Sequence, residues 1–397
     1  MTSHIPSRTY LHSSVTFLLA LIFSFITGLA VADDNLNSLK GSDNSDGSHK
    51  SDTTGNLAVK KVKGDFSVMV LGSGGPVATE QGRASAGYLI FIDGQPKILM
   101  DAGGGTFQRL AASGTDVKDL DVVLLSHLHI DHMGDLSPII KTVYFHNRAY
   151  NLANPGTFPP GRTAPIRIYG PATNNIPFPT DVFPDADPSI PQYPNSSDFA
   201  DSHYDFSIGN ERYLHLFTRA ISGGIFGYQT TDIPAGWTQY NETTLIDENG
   251  LIIKAVGVNH GPVPALAYRI EYKGKTVVFS GDTSSRSTLP DGTPLANGGN
   301  MVEVSSNADL LIYDTAIMDD EPNGPNDAVF FALHTTPSRI GEVATAANVG
   351  QVLLSHLTRV TQDRVPEIKQ LIRNQGYKGK LTKAEDLQVI NLLVHEK

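Results

Sequence analysis

The segment Ser126-His127-Leu128-His129-Ile130-Asp131-His132-Met133-Gly134 is the most informative stretch of this chain, because it places three histidines and an aspartate within six residues. It ends a predicted buried strand, and side chains alternate along a strand, so His127 and His129 should point to the same side. If the chain then turns into a helix, Asp131 and His132 can face a second position nearby. Imidazole and carboxylate groups suit zinc, iron or manganese, so the segment predicts a metal centre. The alternative is a polar turn that happens to be rich in histidine.

Three further candidate ligands, His260, Asp282 and His356, each end a later predicted strand and are flanked by small residues. A side chain in such a position can face an open rim. The alternatives are that Asp282 caps a turn and that His260 or His356 is a hydrogen-bonded core histidine. The chain contains no cysteine, so any metal must be held by His, Asp or Glu.

Composition limits the class of protein and of partner. The chain has 397 residues and is 40% hydrophobic, which is enough for a sizeable core and excludes global disorder. Its formal charge is −11, with 30 Lys plus Arg against 41 Asp plus Glu. An acidic surface repels phosphate backbones, which argues against a nucleic-acid partner unless a local basic patch exists.

The order of predicted elements indicates an α/β fold. Strands followed by helices recur in two comparable halves, which predicts an αββα sandwich. Residues 63–397 are the expected catalytic domain, preceded by a disordered polar linker over residues 33–62. Within the domain, residues 141–250 hold 12 of the 24 prolines and 17 of the 32 aromatic residues. This segment is expected to be mainly a looped insertion over one face.

Here the pattern of motifs resembles the metallo-β-lactamase superfamily. His127-x-His129-x-Asp131-His132 looks like its signature, and the superfamily places a His, a bridging Asp and a final His afterwards in that order. The resemblance implies two divalent metal ions, with zinc expected and manganese or iron as alternatives. One ion would be held by His127, His129 and His260, the other by Asp131, His132 and His356, and Asp282 would bridge them.

Within the superfamily, the chain is similar to the ribonuclease Z and arylsulfatase branch. The similar stretches are Leu71-Gly72-Ser73-Gly74-Gly75-Pro76 with Gly82-Arg83-Ala84-Ser85, Asp101-Ala102-Gly103-Gly104-Gly105-Thr106, and Asp314-Thr315-Ala316 with His334-Thr335-Thr336. The resemblance implies that His334 protonates the leaving oxygen and that Asp314, where a Glu is usual, holds it. The alternative for His334 is a helix-capping or structural role.

These features predict an exported hydrolase of a small phosphodiester or aryl sulfate ester. Two metals would deprotonate a shared water, and Asp131 and Asp282 would orient it for attack. A lactonase or β-lactamase-type acyl hydrolase is the alternative, and a non-enzymatic metal-binding module is a third. Processing of tRNA ranks below these, because residues 141–250 carry 6 Lys plus Arg against 11 Asp plus Glu and export would separate the protein from tRNA. The expected partner is therefore a small ester and not a nucleic acid, and the oligomeric state is left open.

The N-terminus predicts export. Arg8 precedes a long apolar run over residues 15–26, and Ala30-Val31-Ala32 has the small-x-small pattern of a cleavage site. Residues 1–32 are therefore expected to be a cleaved signal peptide of a secreted or periplasmic protein. The alternative is a retained anchor, although the run is short for a span of about 20 residues. No later segment is apolar enough to span a membrane.

Sequencing the N-terminus of the exported protein tests this. The first residue is expected to be Asp33, because cleavage would follow Ala32. A mature protein that keeps Met1 would refute cleavage.

Overall fold

The computed structural model describes residues 57–153, 161–284, 300–320 and 325–394. They belong to one compact unit that begins at Asn56. The predicted signal peptide, residues 1–32, and most of the predicted linker lie outside the described residues, so export stays a prediction. The end of that linker is described and is not disordered: Ala58–Lys61 is a 3-10 helix, and Ala58 is fully buried. The folded part therefore begins earlier than the predicted boundary at residue 62.

Two seven-stranded sheets form the centre of the domain. The first has the order β14-β1-β2-β3-β4-β5-β6 and consists of β1 (Phe66–Gly72), β2 (Gly87–Ile92), β3 (Gln95–Ala102), β4 (Val122–Leu124), β5 (Ile166–Pro171), β6 (Tyr228–Ile233) and β14 (Val389–Leu393). The second has the order β13-β12-β11-β10-β9-β8-β7 and consists of β7 (Glu242–Glu248), β8 (Leu251–His260), β9 (Val263–Tyr272), β10 (Lys275–Phe279), β11 (Leu310–Asp314), β12 (Gln351–Ser355) and β13 (Lys380–Lys383).

Helices surround the two sheets, mostly on their outer faces. They are α1 (Thr106–Ser113), α2 (Ile130–Met133), α3 (Leu136–Ala153), α4 (Ser196–Tyr204), α5 (Tyr213–Ser222), α6 (Met301–Val304), α7 (Pro325–Leu333), α8 (Pro337–Ala346) and α9 (Val365–Asn374). Thr336 is the N-cap of α8 and Pro337 is its first residue, where proline favours the start of a helix. In the described ranges no helix is both long and apolar enough to cross a membrane.

The period-two pattern of the strands explains the four layers. All seven residues of β1 are buried. Val68 and Val70 belong to the cluster between the sheets, whereas Met69 and Leu71 belong to the cluster under the outer helices. A strand that is buried on both faces requires a covering layer on each side. The predicted αββα sandwich is confirmed.

The prediction of a mainly looped insertion at residues 141–250 is wrong. This segment contributes β5 and β6 to the first sheet, β7 to the second, and both α4 and α5 to the helical layer. Pairing between strands distant in sequence, such as β4 with β5, decides this, and local composition does not report it. Among the described residues of this segment, the longest irregular stretch lies between β5 and α4, over residues 172–195, where many of the prolines lie.

Direct contacts between the sheets bring their strand ends together. Leu266 N on β9 donates to Ser126 O at 2.9 Å, just beyond β4. The buried Tyr268 hydroxyl donates to Leu125 O, also at 2.9 Å. The loop after β4, which contains the histidine cluster, therefore lies against the second sheet, whose strands carry the remaining candidate ligands.

Candidate metal centre

All seven predicted metal ligands lie at one rim of the sandwich. His127 and His129 lie in the loop after β4, and Asp131 and His132 lie in the single turn of α2. The other three come from the second sheet, where each lies at the end of a strand or within three residues after it: His260 on β8, Asp282 after β10 and His356 after β12. The site therefore depends on both sheets.

A close backbone approach places α2 at this rim. A Cβ atom on Gly103 would collide with the backbone oxygen of Asp131, so only glycine allows this approach. His132 N donates to His129 O at 2.9 Å, which closes the turn. The tight turn after the strand explains how residues so close in sequence serve two different positions.

The first cluster consists of His127, His129 and His260. One possible ligand atom of each lies within 4.8 Å of the others. His260 Nδ1 bonds to Leu333 O at 2.8 Å, which leaves Nε2 for the cluster. The Nε2 atoms of His127 and His260 are buried, and neither has a hydrogen-bond partner within the described residues. Buried polar atoms without partners are costly, and a shared cation would satisfy both.

Burial also sets the charge of these imidazoles. It lowers the pKa of His127 well below its usual value and that of His260 to about 4. Burial lowers the pKa of His129 in the same way. Neutral imidazole is the form that binds a metal, so this cluster is prepared for one near pH 7.

The second cluster consists of Asp131, His132, His356 and Asp282, whose possible ligand atoms also lie within 4.8 Å of one another. The Nε2 atoms of His132 and His356 face each other at 3.2 Å. Asp131 Oδ2 lies 3.3 Å from His356 Nε2. Two imidazole nitrogens and a carboxylate oxygen that converge in this way form a suitable donor set for a divalent cation.

Asp282 lies between the two clusters. Its Oδ1 is 3.3 Å from the Nε2 atoms of both His132 and His356. Its Oδ2 faces the other cluster, 3.9 Å from His127 Nε2 and 4.0 Å from His260 Nε2. Burial would raise the pKa of Asp282, but the facing imidazoles of His356 and His132 hold it well below its usual value. An ionised carboxylate with one oxygen toward each cluster has the geometry of a bridging ligand.

Asp101 opens one of the motifs quoted from the sequence, but no role was predicted for it. Its Oδ2 lies 2.8 Å from His132 Nδ1, so the opposite ring nitrogen of His132 is directed toward the centre. Asp101 also accepts hydrogen bonds from Ser126 N and Ser126 Oγ, both at 2.7 Å. Its φ of 54° lies in the left-handed region. Such carboxylate partners orient metal-binding histidines and raise their basicity.

His334 and Asp314 form a buried pair beside the centre. His334 Nδ1 lies 2.7 Å from Asp314 Oδ2. Burial would lower the pKa of His334, but the charge and the hydrogen bond of Asp314 raise it. The imidazole lies 5.6 Å from the ring of His260 and 5.5 Å from that of His356, measured between ring centres. His334 and Asp314 also belong to a possible four-residue ligand cluster with Asp282 and His356. However, His334 Nδ1 and Asp314 Oδ2 already share a hydrogen bond.

Comparison with known proteins places the chain in a family. Residues 82–320 match the metallo-beta-lactamase superfamily. The chain belongs to this superfamily. It is 26% identical over 294 residues to Ribonuclease Z of Mycobacterium marinum, which covers 73% of this chain and 85% of the relative.

Two solved structures share the fold. The metallo-beta-lactamase fold protein YhfI of Bacillus subtilis aligns with a TM-score of 0.51 at 21% identity, covering 82% of this chain and 99% of that chain. The short form of human tRNase Z also aligns with a TM-score of 0.51, at 19% identity, covering 83% and 100% of the two chains. The predicted resemblance to the superfamily is confirmed, and the ribonuclease Z relatives are consistent with that branch.

These relatives also correct the predicted substrate. The chain is a metal-dependent hydrolase. The prediction of a small phosphodiester or aryl sulfate ester as substrate, ranked above nucleic acid, is contradicted by relatives named Ribonuclease Z. The physical error was to judge RNA binding from the net charge of the chain and of residues 141–250. Phosphate contacts depend on where positive charge lies on the surface, and a net charge averages over that distribution.

The role of Asp101 can be tested by replacing it with asparagine. Asp101→Asn is expected to weaken metal binding by about 10–100-fold, because an amide orients His132 less well than a carboxylate. Competition with a chelator measures this. Asp121→Asn is the matched control, since Asp121 bonds Arg162 and Arg167 at the opposite end of β4 and should leave metal affinity unchanged. Wild-type affinity in Asp101→Asn would show that this contact is only structural.

Proposed function

We propose that the chain is a ribonuclease Z-type endonuclease that hydrolyses a phosphodiester bond of a tRNA-type RNA. The observation that carries the proposal is Asp282, which presents one oxygen to each of two ligand clusters in a chain whose relatives are named Ribonuclease Z. A dinuclear arrangement suits in-line displacement at phosphorus, because two ions can stabilise both the attacking and the leaving oxygen.

We propose zinc as the ion, because imidazole and carboxylate groups of the kind that converge here are its usual ligands in catalytic sites. His127, His129 and His260 would hold one ion, Asp131, His132 and His356 the other, and Asp282 both. When bound, two such ions activate a water molecule and stabilise the charge that develops on the phosphate. Asp131 and Asp282 are the carboxylates placed to orient that water.

The leaving group of RNA hydrolysis explains a need for His334. A ribose oxygen is a poor leaving group unless it receives a proton as the P–O bond breaks. His334 lies beside the ligand clusters, and Asp314 fixes its Nδ1 at 2.7 Å. The Phe330 ring stacks on the imidazole, with 5.7 Å between centres and an interplanar angle of 20°. His334 is thus the proposed proton donor, and Asp314 its positioning residue.

The rim beside the first cluster supplies aromatic surface. The half-buried Tyr193 ring lies 6.0 Å from the His129 ring, between centres. Asn174 Nδ2 donates to Pro262 O at 2.7 Å, which ties the loop of residues 172–195 to the chain just after His260. Unpaired RNA bases stack on aromatic side chains, whereas the acidic character of this loop disfavours phosphates. This rim therefore fits the bases of a single-stranded RNA end.

The direct test uses a precursor tRNA with extra nucleotides at both ends. Zinc-loaded protein is expected to cut it at one position, because a structured RNA places a single phosphate at the metal centre. Chelation and Asp282→Ala should each abolish cutting, and gel analysis with end-labelled RNA shows the position. Hydrolysis of bis(4-nitrophenyl) phosphate without any RNA cleavage would contradict the proposal.

The role of His334 can be separated from metal binding by the choice of leaving group. His334→Ala is expected to slow RNA cleavage by about 10²–10⁴-fold, the usual range for general acid catalysis. It should slow bis(4-nitrophenyl) phosphate hydrolysis far less, because nitrophenolate leaves without protonation. Rates on both substrates and the metal content are measured.

Asp282→Ala is the comparison, since it should impair both substrates alike and lower the metal content. Loss of metal from His334→Ala, or equal slowing of the two substrates, would make His334 a ligand or a structural residue.

A further inference from the structure

Positive charge is concentrated in one part of this acidic chain. Residues 359–383 contain seven Lys or Arg and two Asp or Glu, a net charge of +5 in a chain of net charge −11. They include α9 and β13 and precede the last strand of the first sheet. Such a region is the local basic patch that an acidic protein needs in order to bind a phosphate backbone.

Five of these seven cations lie on α9, in the loop after it and on β13, and we name them the basic edge: Lys369, Arg373, Lys378, Lys380 and Lys383. The other two are engaged elsewhere. Arg359 pairs with Glu80, and Arg364 pairs with Glu367 and Asp320.

The packing of α9 directs two of the cations to one flank. The helix is anchored by Val365, Ile368 and Ile372, which are buried in the cluster on the outer face of the second sheet. On one flank, the backbone of Ile372 lies close to Gly341 of α8. Lys369 and Arg373 are four residues apart and each follows an anchoring residue, so they share the flank that faces away from α8.

The loop after α9 extends the same surface to the sheet edge. Arg373 Nη1 donates to Tyr377 O at 2.7 Å, and its guanidinium lies 5.4 Å from the centre of the Tyr377 ring. Lys378 and Lys380 follow directly and are exposed. Lys380 begins β13, the last strand in the order of the second sheet.

Three of these lysines are available to a ligand. Among the described residues, Lys369, Lys378 and Lys380 take part in no ion pair at 4.0 Å or less. Lys383 pairs with Glu385 at 3.0 Å, a partly exposed contact of little energetic value. Unpaired cations that lie close together repel each other, and a polyanion relieves that repulsion.

The basic edge begins at the rim that carries the metal ligands. β13 runs parallel to β12, and Lys383 pairs in register with Leu354, two residues before His356. Lys380 lies three residues back along β13, about 10 Å farther from the rim. A nucleic acid with one phosphate at the metal centre could therefore continue along this edge.

We propose that the basic edge binds the sugar-phosphate backbone of the RNA substrate, several nucleotides away from the bond that is cut. The inference rests on the proposed function and adds a surface to it. It accounts for RNA binding by a chain whose other regions are acidic. The competing explanation is that lysines on an edge strand only prevent pairing with other chains.

The test replaces the three unpaired lysines with glutamine, in Lys369→Gln/Lys378→Gln/Lys380→Gln. The matched control is Lys60→Gln/Lys61→Gln/Lys63→Gln, which removes three exposed lysines beside β1. For zinc-loaded wild type, kcat/KM on the precursor tRNA should fall steeply between about 50 and 200 mM salt. In the basic-edge variant, the slope of log kcat/KM against log salt should be shallower than in wild type by about two to three units, close to one unit per lysine. Its rate on bis(4-nitrophenyl) phosphate should equal that of wild type.

Binding of fully trimmed tRNA to the zinc-loaded proteins, by fluorescence anisotropy, separates this inference from the proposed function. If the wild type cuts no RNA but binds tRNA through the basic edge, the RNA-binding role of this surface is supported and the proposed endonuclease activity is contradicted. Equal salt slopes in the basic-edge and control variants would contradict the proposed RNA-binding role of the basic edge. Aggregation of the basic-edge variant with an equal slope would support the competing explanation, that these lysines prevent pairing with other chains. Loss of binding to phosphatidylglycerol vesicles with unchanged RNA kinetics would assign the surface to membranes and overturn the inference as well.

Discussion

The burial of one carboxylate, Asp282, between two groups of imidazoles is the constraint on which the rest of this structure depends. An ionised carboxylate removed from water costs several kcal/mol unless charge and hydrogen bonds compensate it. Here the compensation comes from the imidazoles of His132 and His356, which lie 3.3 Å from Asp282 Oδ1. Bound cations would complete it, because the unpartnered nitrogens of His127 and His260 already point to the same place.

The fold meets this constraint by bringing strand ends from two sheets to one rim. The first sheet supplies His127 to His132 within one short turn, and the second supplies single residues at three strand ends. The contacts of Leu266 and Tyr268 with the end of β4 hold the two sets together. Asp101 then links β3 to Ser126 and His132, so the orientation of a ligand depends on the core of the first sheet. A substitution that distorts either sheet should therefore also disturb the geometry of the metal ligands.

The fold and the positions of the ligands were predictable from the sequence for specific reasons. Histidines at a spacing of two, and single ligand residues at strand ends, are local patterns that can be recognised in a single sequence. Asp101 was missed because its partner is 31 residues away and only the fold makes them neighbours. Within residues 141–250, strand β6 was missed because its pairing with β5 is not local. The substrate was misjudged because the net charge hides the basic edge, whose cations are spread over a helix, a loop and a strand.

The bridging position of Asp282 is the central claim, and anomalous X-ray diffraction at the zinc absorption edge on crystals of the zinc-loaded protein tests it most directly. Two anomalous peaks about 3.5–4 Å apart are expected. One should lie among His127, His129 and His260 and the other beside His132 and His356, with one oxygen of Asp282 directed to each. A single peak, or an ion held by Asp314 and His334, would contradict the account.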